Sequence, residues 1–226
     1  MTMNPIETIE ARPRFESILT YTGQYFHLPN FEDGTDGPRP FDIRDIAHHL
    51  SNMCRYSGAC NRFYSVAEHS VYVSLLVPEK DAKAGLLHDL AEAYIVDIPR
   101  PFKHLLKNYK ELDHIVTTEG LAHFGVEYPY GEAVKVADNA MLFEVEQPRL
   151  FDTLFPTPKL SESDIRHVGI WHEAKIRKDI RPKCLDPISA EKLFLERYHE
   201  LFYPNTSHVW RNTNSRTTDH LVQIGE

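Results

Sequence analysis

The spacing of apolar residues along the chain indicates a mostly helical protein. Between residues 42 and 53, apolar side chains recur at intervals of three and four, the spacing of one helix face. The same period recurs further along, and together these segments predict helices over residues 42–53, 81–94, 102–109, 110–124 and 131–146, the last ending before Pro148.

A capping signal precedes another predicted helix. Ser65 is followed three residues later by Glu68, the spacing of a capping box, so a helix is expected to begin there and to end at Pro78. This helix carries His69 in its first turn. A histidine is therefore expected at a fixed position near the start of a helix.

The remainder of the chain contains two further helix starts. Asp186-Pro187 has the form of an N-cap followed by a proline at the first helical position, which predicts a helix through Glu200. Ser161 with Asp164 resembles a capping box and predicts a helix to about residue 178. The fold class expected from these patterns is all-α.

The length of the chain favours one domain with appendages. It has 226 residues, whereas domains typically run to about 100–200 residues. We expect a domain over residues 1–150 that includes an N-terminal arm, and a helical extension over residues 151–226 that packs on the same domain. Apolar residues make up 42% of the chain and its mean hydropathy is −0.42, values typical of a soluble globular protein.

The net charge of the chain argues against one class of binding partner, and its cysteine content indicates a cellular compartment. The net charge of −8 repels nucleic-acid backbones, so polymeric nucleic acid is not an expected partner. No apolar run approaches the roughly 20 residues that cross a bilayer, and the N-terminus does not read as a signal peptide. The three cysteines (Cys54, Cys60, Cys184) are interpreted as reduced thiols in a cytoplasmic protein.

Four widely spaced polar residues point to a divalent metal. His69, His88, Asp89 and Asp138 supply the nitrogen and oxygen donors that such an ion needs. His88-Asp89 lies in the apolar stretch 85–91, and Asp138 follows Val-Ala. Unpaired polar groups would be costly to bury there, and metal ligation would remove that cost. Each residue alone reads as an ordinary helix-face residue, but the set favours a metal site.

In order and flanking sequence, these residues resemble the HD-domain metal-dependent phosphohydrolases, helical bundles with a metal centre. The resemblance covers about residues 20–145 and is tightest in the blocks 50–56, 63–70 and 87–101. Within the family, the blocks are most similar to a bacterial and phage branch that acts on deoxynucleotides. That branch includes 5′-deoxynucleotidases and phage dATP triphosphohydrolases.

The resemblance implies roles for particular side chains. His69, His88, Asp89 and Asp138 would ligate the metal, which would polarise the phosphoryl oxygens. Glu92, three residues after Asp89 and expected on the same helix face, would orient the attacking water or take its proton. Asp97 would act beside the scissile ester or the sugar, although an Asp that caps a turn is nearly as good a reading.

Substrate contacts are also implied by the resemblance. Arg55 and Lys103 would bind phosphate, and Tyr56 would stack on the base or sugar. For each of the three, a plain surface or core role is the competing interpretation. Residues with a weaker claim are two aromatic residues for the same pocket (Tyr25 and Phe26) and two further cations for a polyphosphate (Arg62 and Arg100).

The function that the resemblance implies is hydrolysis of a dNTP, of the dATP kind, at the α-phosphorus to a deoxynucleoside and triphosphate. Release of phosphate from a dNMP is the first alternative. An HD phosphodiesterase or a nucleotide-binding regulator is a further one. The donor set admits Co, Mn, Zn or Mg, and an additional Mg could accompany the substrate phosphates. The resemblance also implies a homo-oligomer and a phage or bacterial origin.

Overall fold

The computed structural model describes residues 17–151, except Asp33 and Thr35, and residues 180–205. The N-terminal arm is predicted over residues 1–20; residues 1–16 lie outside the described residues, as does the helix predicted over residues 161–178. Residues Ser17–Leu19 of the predicted arm form a strand. The described part is mainly helical, as predicted, but it is not strictly all-α, because residues near its start form a small sheet.

The sheet contains two short antiparallel strands, β1 (Ser17–Leu19) and β2 (Tyr25–His27). The helices are α1 (Ile43–Asn52), α2 (Val66–Leu76), α3 (Ala82–Leu87), α4 (Glu92–Ile95), α5 (Arg100–Lys103), α6 (Tyr109–His123), α7 (Glu132–Ala140), α8 (Gln147–Leu150) and α9 (Pro187–Phe202). Short 3₁₀ turns occupy Arg55–Gly58 and Glu79–Asp81, and a π-helical turn, Met141–Glu146, joins α7 to α8.

Helix α2 lies at the centre of this architecture. Its residues from Val66 to Ser74 are all buried, as expected for a helix that is enclosed on every side rather than amphipathic. Helices α1, α3 and α9 pack against it. No helix among the described residues is both long enough and apolar enough to cross a membrane.

Three of the described helices have an N-cap formed by a side chain. Asp42 accepts a hydrogen bond from the backbone of Arg44 at 2.8 Å, which caps α1. The Ser65 hydroxyl accepts from the Glu68 amide at 3.1 Å, and the Asp186 carboxylate accepts from the Ser189 amide at 3.1 Å. The helix starts predicted at Ser65 and Asp186 are therefore confirmed.

Glu68 does not complete the capping box. Its buried carboxylate instead accepts backbone N–H bonds from Lys183, Cys184 and Leu185 at 2.6, 3.2 and 2.9 Å. One glutamate of the central helix thus fastens the irregular segment that leads into α9. The helix α9 then packs on α1 and α2 through Ala190, Phe194 and Tyr198, its buried residues.

Three predicted helices differ from the structure. The helix expected over residues 102–109 is not formed, because α5 ends at Lys103 and residues 104–108 make turns before α6 begins. The helix expected over residues 81–94 is interrupted, because α3 ends at Leu87 and the backbone makes tight turns before α4 begins at Glu92. The helix expected to end before Pro148 continues to Leu150. Pro148 is tolerated because it falls in the first turn of α8, where its missing N–H costs little.

Replacing Glu68 by Gln should lower the stability of the fold. The amide has one acceptor oxygen, so at least one backbone N–H of residues 183–185 would lose its charged acceptor, at about 1.5–3 kcal/mol. We expect thermal unfolding at a temperature lower by at least about 2 °C. The exposed Glu127→Gln variant is the matched control, and equal melting temperatures for both variants would contradict the assigned role of Glu68.

Candidate metal centre and adjoining cavity

Two buried imidazoles converge from helix α2 and from the end of helix α3. His69 is fully buried in the first turn of α2, and the buried His88 follows the last residue of α3. Their ring centroids lie 5.3 Å apart. The Nδ1 of His88 lies 2.9 Å from the backbone oxygen of Gly85. The Nε2 atoms of both rings make no hydrogen bond to any described residue.

Carboxylates surround these two nitrogen atoms. Asp138, on α7, places Oδ1 3.2 Å from the Nε2 of His69. Asp89 places Oδ2 3.2 Å from the Nε2 of His88 and 3.8 Å from the Nε2 of His69. Donor atoms of His69, His88 and Asp138 all lie within 4.8 Å of one another, so this group could hold a metal ion.

The electrostatic field at this group favours a cation. Burial and the charge of Arg55 lower the pKa of His69, but the carboxylates of Glu146 and Asp138 outweigh both and raise it to about 9. Burial also raises the pKa of Asp89, yet the two histidines hold it down at about 2. The same carboxylates would attract a metal cation, which binds in competition with that proton.

Glu146 is a member of the site that sequence reasoning missed. Its buried carboxylate lies 2.6 Å from the Nδ1 of His69 and accepts hydrogen bonds from the hydroxyls of Tyr56 and Tyr64 at 2.6 and 3.0 Å. It also accepts from the Nε of Arg55 at 3.2 Å. Burial raises the pKa of Glu146, but Arg55 and His69 outweigh burial and lower it to about 2.

The π-helical turn accounts for the position of Glu146. In a regular α-helix a residue eight positions after Asp138 would lie about 80° around the axis, because each residue turns about 100°. Over Met141–Glu146 the turns widen, as the Gln147 amide bonding to Leu142, five residues back, shows. The lost rotation brings Glu146 toward the face that carries Asp138. The apolar neighbours of Glu146 were the available signal for a buried carboxylate.

A cavity of about 400 Å³ adjoins the metal-ligand group. Asp89 and Asp138 lie on its wall, and the predicted catalytic residues Glu92 and Asp97 line it with them. The predicted substrate residues Arg55, Tyr56 and Lys103 line it as well, as does Arg100. A volume of this size lies within the range of small-molecule sites, about 300–1,000 Å³.

Glu92 keeps its relation to Asp89 although the predicted continuous helix is broken. The Glu92 amide bonds to the Asp89 carbonyl at 3.0 Å, an i+3 bond of the 3₁₀ kind, which places the two side chains on one side. The Oε2 of Glu92 is buried and has no hydrogen-bond partner among the described residues, while Oε1 lies 3.4 Å from the Nζ of Lys103. Burial and the charge of Asp89 raise the pKa of Glu92 well above its usual range.

The other cavity residues are engaged in different ways. Burial raises the pKa of the half-buried Asp97. Arg100 donates to an Asp138 oxygen at 2.8 Å. Tyr56 reaches the cavity, its hydroxyl donates to Glu146 and its ring meets Phe151 edge-on. Its stacking on a base or sugar stays a prediction.

Three of the weaker sequence assignments do not reach the site. Phe26 is fully buried in the core, where it stacks on Tyr94 at 3.9 Å between ring centroids. Tyr25 is 48% exposed on the small sheet. Neither residue lines the cavity, and the exposed Arg62 is also outside its wall. Apolar content and charge alone could not distinguish these residues from site residues.

Comparison with known proteins gives relatives but no named activity. No protein-family model matches the chain. The uncharacterized protein YfdR of Escherichia coli (strain K12) is 38% identical over 125 residues, which are 55% of this chain and 67% of the relative. The uncharacterized protein RCAP_rcc00048 of Rhodobacter capsulatus is 35% identical over 125 residues, 49% of this chain and 64% of the relative.

Replacing Glu92 by Gln should stabilise the metal-free protein at alkaline pH. A carboxyl with a raised pKa in the folded state weakens folding as pH rises above the unfolded value of 4.5. Glutamine has no charge to bury. We therefore expect a melting temperature at least about 2 °C above that of the wild type at pH 8, with the difference shrinking toward pH 5.

The measurement is thermal unfolding in the presence of a chelator at both pH values, with the exposed Glu127→Gln as control. A variant no more stable than the wild type at pH 8 would show that the Glu92 carboxylate is not under this burial penalty.

Proposed function

We propose that this chain, which belongs to the family of the uncharacterized Escherichia coli protein YfdR, is a metal-dependent phosphohydrolase that acts on deoxyribonucleotides. The observation that carries the proposal is the pair of buried imidazole Nε2 atoms without hydrogen-bond partners, set among carboxylates beside a cavity. The order His69, His88-Asp89, Asp138 on a helical scaffold supports a helical bundle of the HD type.

The residues present fit a divalent metal. Two unpartnered buried nitrogens would be costly without a ligand to accept their lone pairs. His69, His88 and Asp138, together with Asp89, would hold the ion. Their mixed nitrogen and oxygen donors admit Co, Mn, Zn or Mg. When bound, a divalent ion in such a site supplies Lewis-acid polarisation of phosphoryl oxygens and lowers the pKa of coordinated water.

Glu92 would move the proton in this reaction. Its Oε2 is buried at the cavity without a hydrogen-bond partner among the described residues, and its raised pKa makes the carboxylate a stronger base than an ordinary glutamate. It would take the proton of the attacking water as the phosphorus–oxygen ester bond breaks. Asp97 lines the same cavity and would contact the leaving oxygen or the sugar.

The number of cations that line the cavity indicates how many phosphate groups the substrate could carry. Arg55, Arg100 and Lys103 line the cavity, and three cations could each contact a phosphate of a dNTP. Attack at the α-phosphorus would then yield a deoxynucleoside and triphosphate from a dNTP and water. An additional Mg could neutralise the charge that these side chains leave uncompensated.

A specific observation favours the dNMP alternative. Arg100 is paired with Asp138 at 2.8 Å, and Lys103 contacts Glu92 at 3.4 Å. Cations already paired with carboxylates have less capacity for a triphosphate. Release of orthophosphate from a 5′-deoxynucleotide is therefore the second candidate function.

The deciding experiment is turnover by purified protein loaded with Mn or Co, across dNTPs, dNMPs and cyclic dinucleotides, with phosphate and triphosphate resolved. Triphosphate from dNTPs supports the first candidate, and phosphate from dNMPs alone supports the second. Cleavage of cyclic dinucleotides alone would overturn both in favour of a phosphodiesterase. Bound metal with no turnover of any substrate would favour a nucleotide-binding regulator.

Substitution of the cavity cations should separate the two nucleotide substrates. In Arg100→Ala and Lys103→Ala, loss of a charge-assisted contact should raise the KM for a dNTP by about 10-fold or more, with a smaller effect on a dNMP. Arg62→Ala, which removes an exposed arginine outside the cavity, is the matched control and should leave both KM values unchanged. If all three variants hydrolysed a dNTP with the kinetics of the wild type, the proposed preference for a dNTP over a dNMP would be contradicted.

A further inference from the structure

Glu146 joins two parts of the site through one buried carboxylate. Its Oε1 is shared by the Nδ1 of His69 and the Tyr64 hydroxyl, and its Oε2 by the Nε of Arg55 and the Tyr56 hydroxyl. We propose that Glu146 is a positioning residue that aims the Nε2 of His69 at the metal and holds Arg55 at the cavity. This inference rests on the proposed metal-dependent function.

The first part of the argument concerns the tautomer of His69. An ionised carboxylate only accepts hydrogen bonds, so the nitrogen 2.6 Å from it must carry a proton. In a neutral imidazole, the lone pair is then on Nε2. That atom lies among Asp138, Asp89 and the neighbouring imidazole and has no hydrogen-bond partner within the described chain. Glu146 thus leaves the metal-facing nitrogen free to act as a ligand.

The second part concerns Arg55. The same carboxylate accepts a hydrogen bond from the Nε of this arginine. The terminal nitrogens of Arg55 do not bond to Glu146, and Nη1 lies 3.7 Å from the Oδ2 of Asp89. Arg55 also lines the cavity. Glu146 therefore fixes a metal-facing imidazole with one oxygen and a cavity cation with the other. A rotation of this carboxylate would displace both.

The partners of Glu146 distinguish it from an ordinary buried glutamate. Glu68 is also fully buried and neighbours His69 in the chain, yet it accepts from backbone amides of residues 183–185. Glu68 therefore holds the fold, and its carboxylate makes no hydrogen bond to the metal-ligand group among the described residues. The two glutamates are similar in burial and in the number of donors, and they differ in what those donors do. This makes Glu68→Gln a matched control for Glu146→Gln.

The glutamine variant should disturb the site without changing the size of the side chain. Four donors converge on the two oxygens of Glu146. An amide keeps one oxygen and turns an NH₂ group toward the other two donors, so either the pair His69 and Tyr64 or the pair Arg55 and Tyr56 loses its acceptor. The carboxylate charge is lost in either orientation.

Binding of Co²⁺ to the purified full-length protein tests the inference. Isothermal titration and the visible spectrum of bound Co²⁺ would be compared for the wild type, Glu146→Gln, Glu68→Gln and His69→Ala. We expect Glu146→Gln to weaken Co²⁺ binding by about 10- to 100-fold, as loss of partners to a ligating histidine does elsewhere. We also expect its Co²⁺ spectrum to shift. Glu68→Gln should melt earlier and yet bind Co²⁺ with the affinity and spectrum of the wild type.

The outcomes separate the inference from the function on which it rests. No Co²⁺ binding by the wild type, or equal binding by His69→Ala, would overturn the metal site and the inference together. Wild-type affinity and spectrum in Glu146→Gln would overturn the positioning role alone. Equal weakening in Glu68→Gln and Glu146→Gln would also overturn it, because a general loss of packing would then explain both.

A milder variant covers the case in which Glu146→Gln does not fold. Tyr64→Phe keeps the buried ring and removes one of the two donors to the Oε1 that faces His69. We expect weaker Co²⁺ binding and a shifted spectrum in this variant too, smaller than in Glu146→Gln. A Tyr64→Phe protein that folds and binds Co²⁺ as the wild type does would overturn the positioning role.

Discussion

Burial of two adjacent polar side chains in the central helix is the constraint on which the rest of the structure depends. Glu68 and His69 follow one another in α2, and both are fully buried. Each must find partners from elsewhere in the chain, since an unpaired polar group in an apolar interior costs several kilocalories per mole. Neighbouring residues of a helix point about 100° apart. The two side chains therefore need partners that lie on different sides of α2.

Two separate segments meet these two demands. The backbone of residues 183–185 supplies N–H donors to Glu68, which brings the start of α9 onto the core. The segment from α7 through the π-helical turn supplies Glu146 as the partner of the Nδ1 of His69 and places an Asp138 oxygen 3.2 Å from its Nε2, which makes no hydrogen bond within the described residues. The position of the metal-ligand group and the packing of the last described helix therefore follow from two consecutive residues.

Local features of the sequence were sufficient to predict much of this arrangement. The caps at Ser65 and Asp186 and the apolar periods of α1 and α6 depend only on residues within a few positions, and the structure confirms those helices. The grouping of His69 and His88 with Asp138 was also predictable. Polar residues in apolar helical stretches require partners, and residues of complementary ligand chemistry are the available ones.

The features that were missed depend on contacts between distant segments. Glu146 is 77 positions from His69, and its place depends on a π-helical turn that apolar periodicity does not reveal. The interruption after Leu87 falls at residues 88–91, none of which is a proline or a glycine. Tyr56 was correctly placed at the cavity, but a hydroxyl partner 90 positions away decides how it is held. Patterns within one helix contain no information on such partners.

The buried glutamates among the described residues differ in their hydrogen-bond partners, and this difference supports the proposed role of Glu92 in proton transfer. Glu68 and Glu146 are buried with donors on both oxygens, which is the arrangement that keeps a charge stable and immobile. Glu92 is almost as deeply buried, but one of its oxygens has no partner among the described residues.

A buried carboxylate with one oxygen that accepts no hydrogen bond lowers the stability of the fold. Stability alone would favour an uncharged side chain at this position. Retention of a half-satisfied carboxylate beside a cavity is typical of a group that exchanges protons with a bound molecule. Among the described residues, Glu92 therefore differs from the other buried glutamates, Glu68 and Glu146, in having an oxygen without a hydrogen-bond donor, as its proposed role in proton transfer requires.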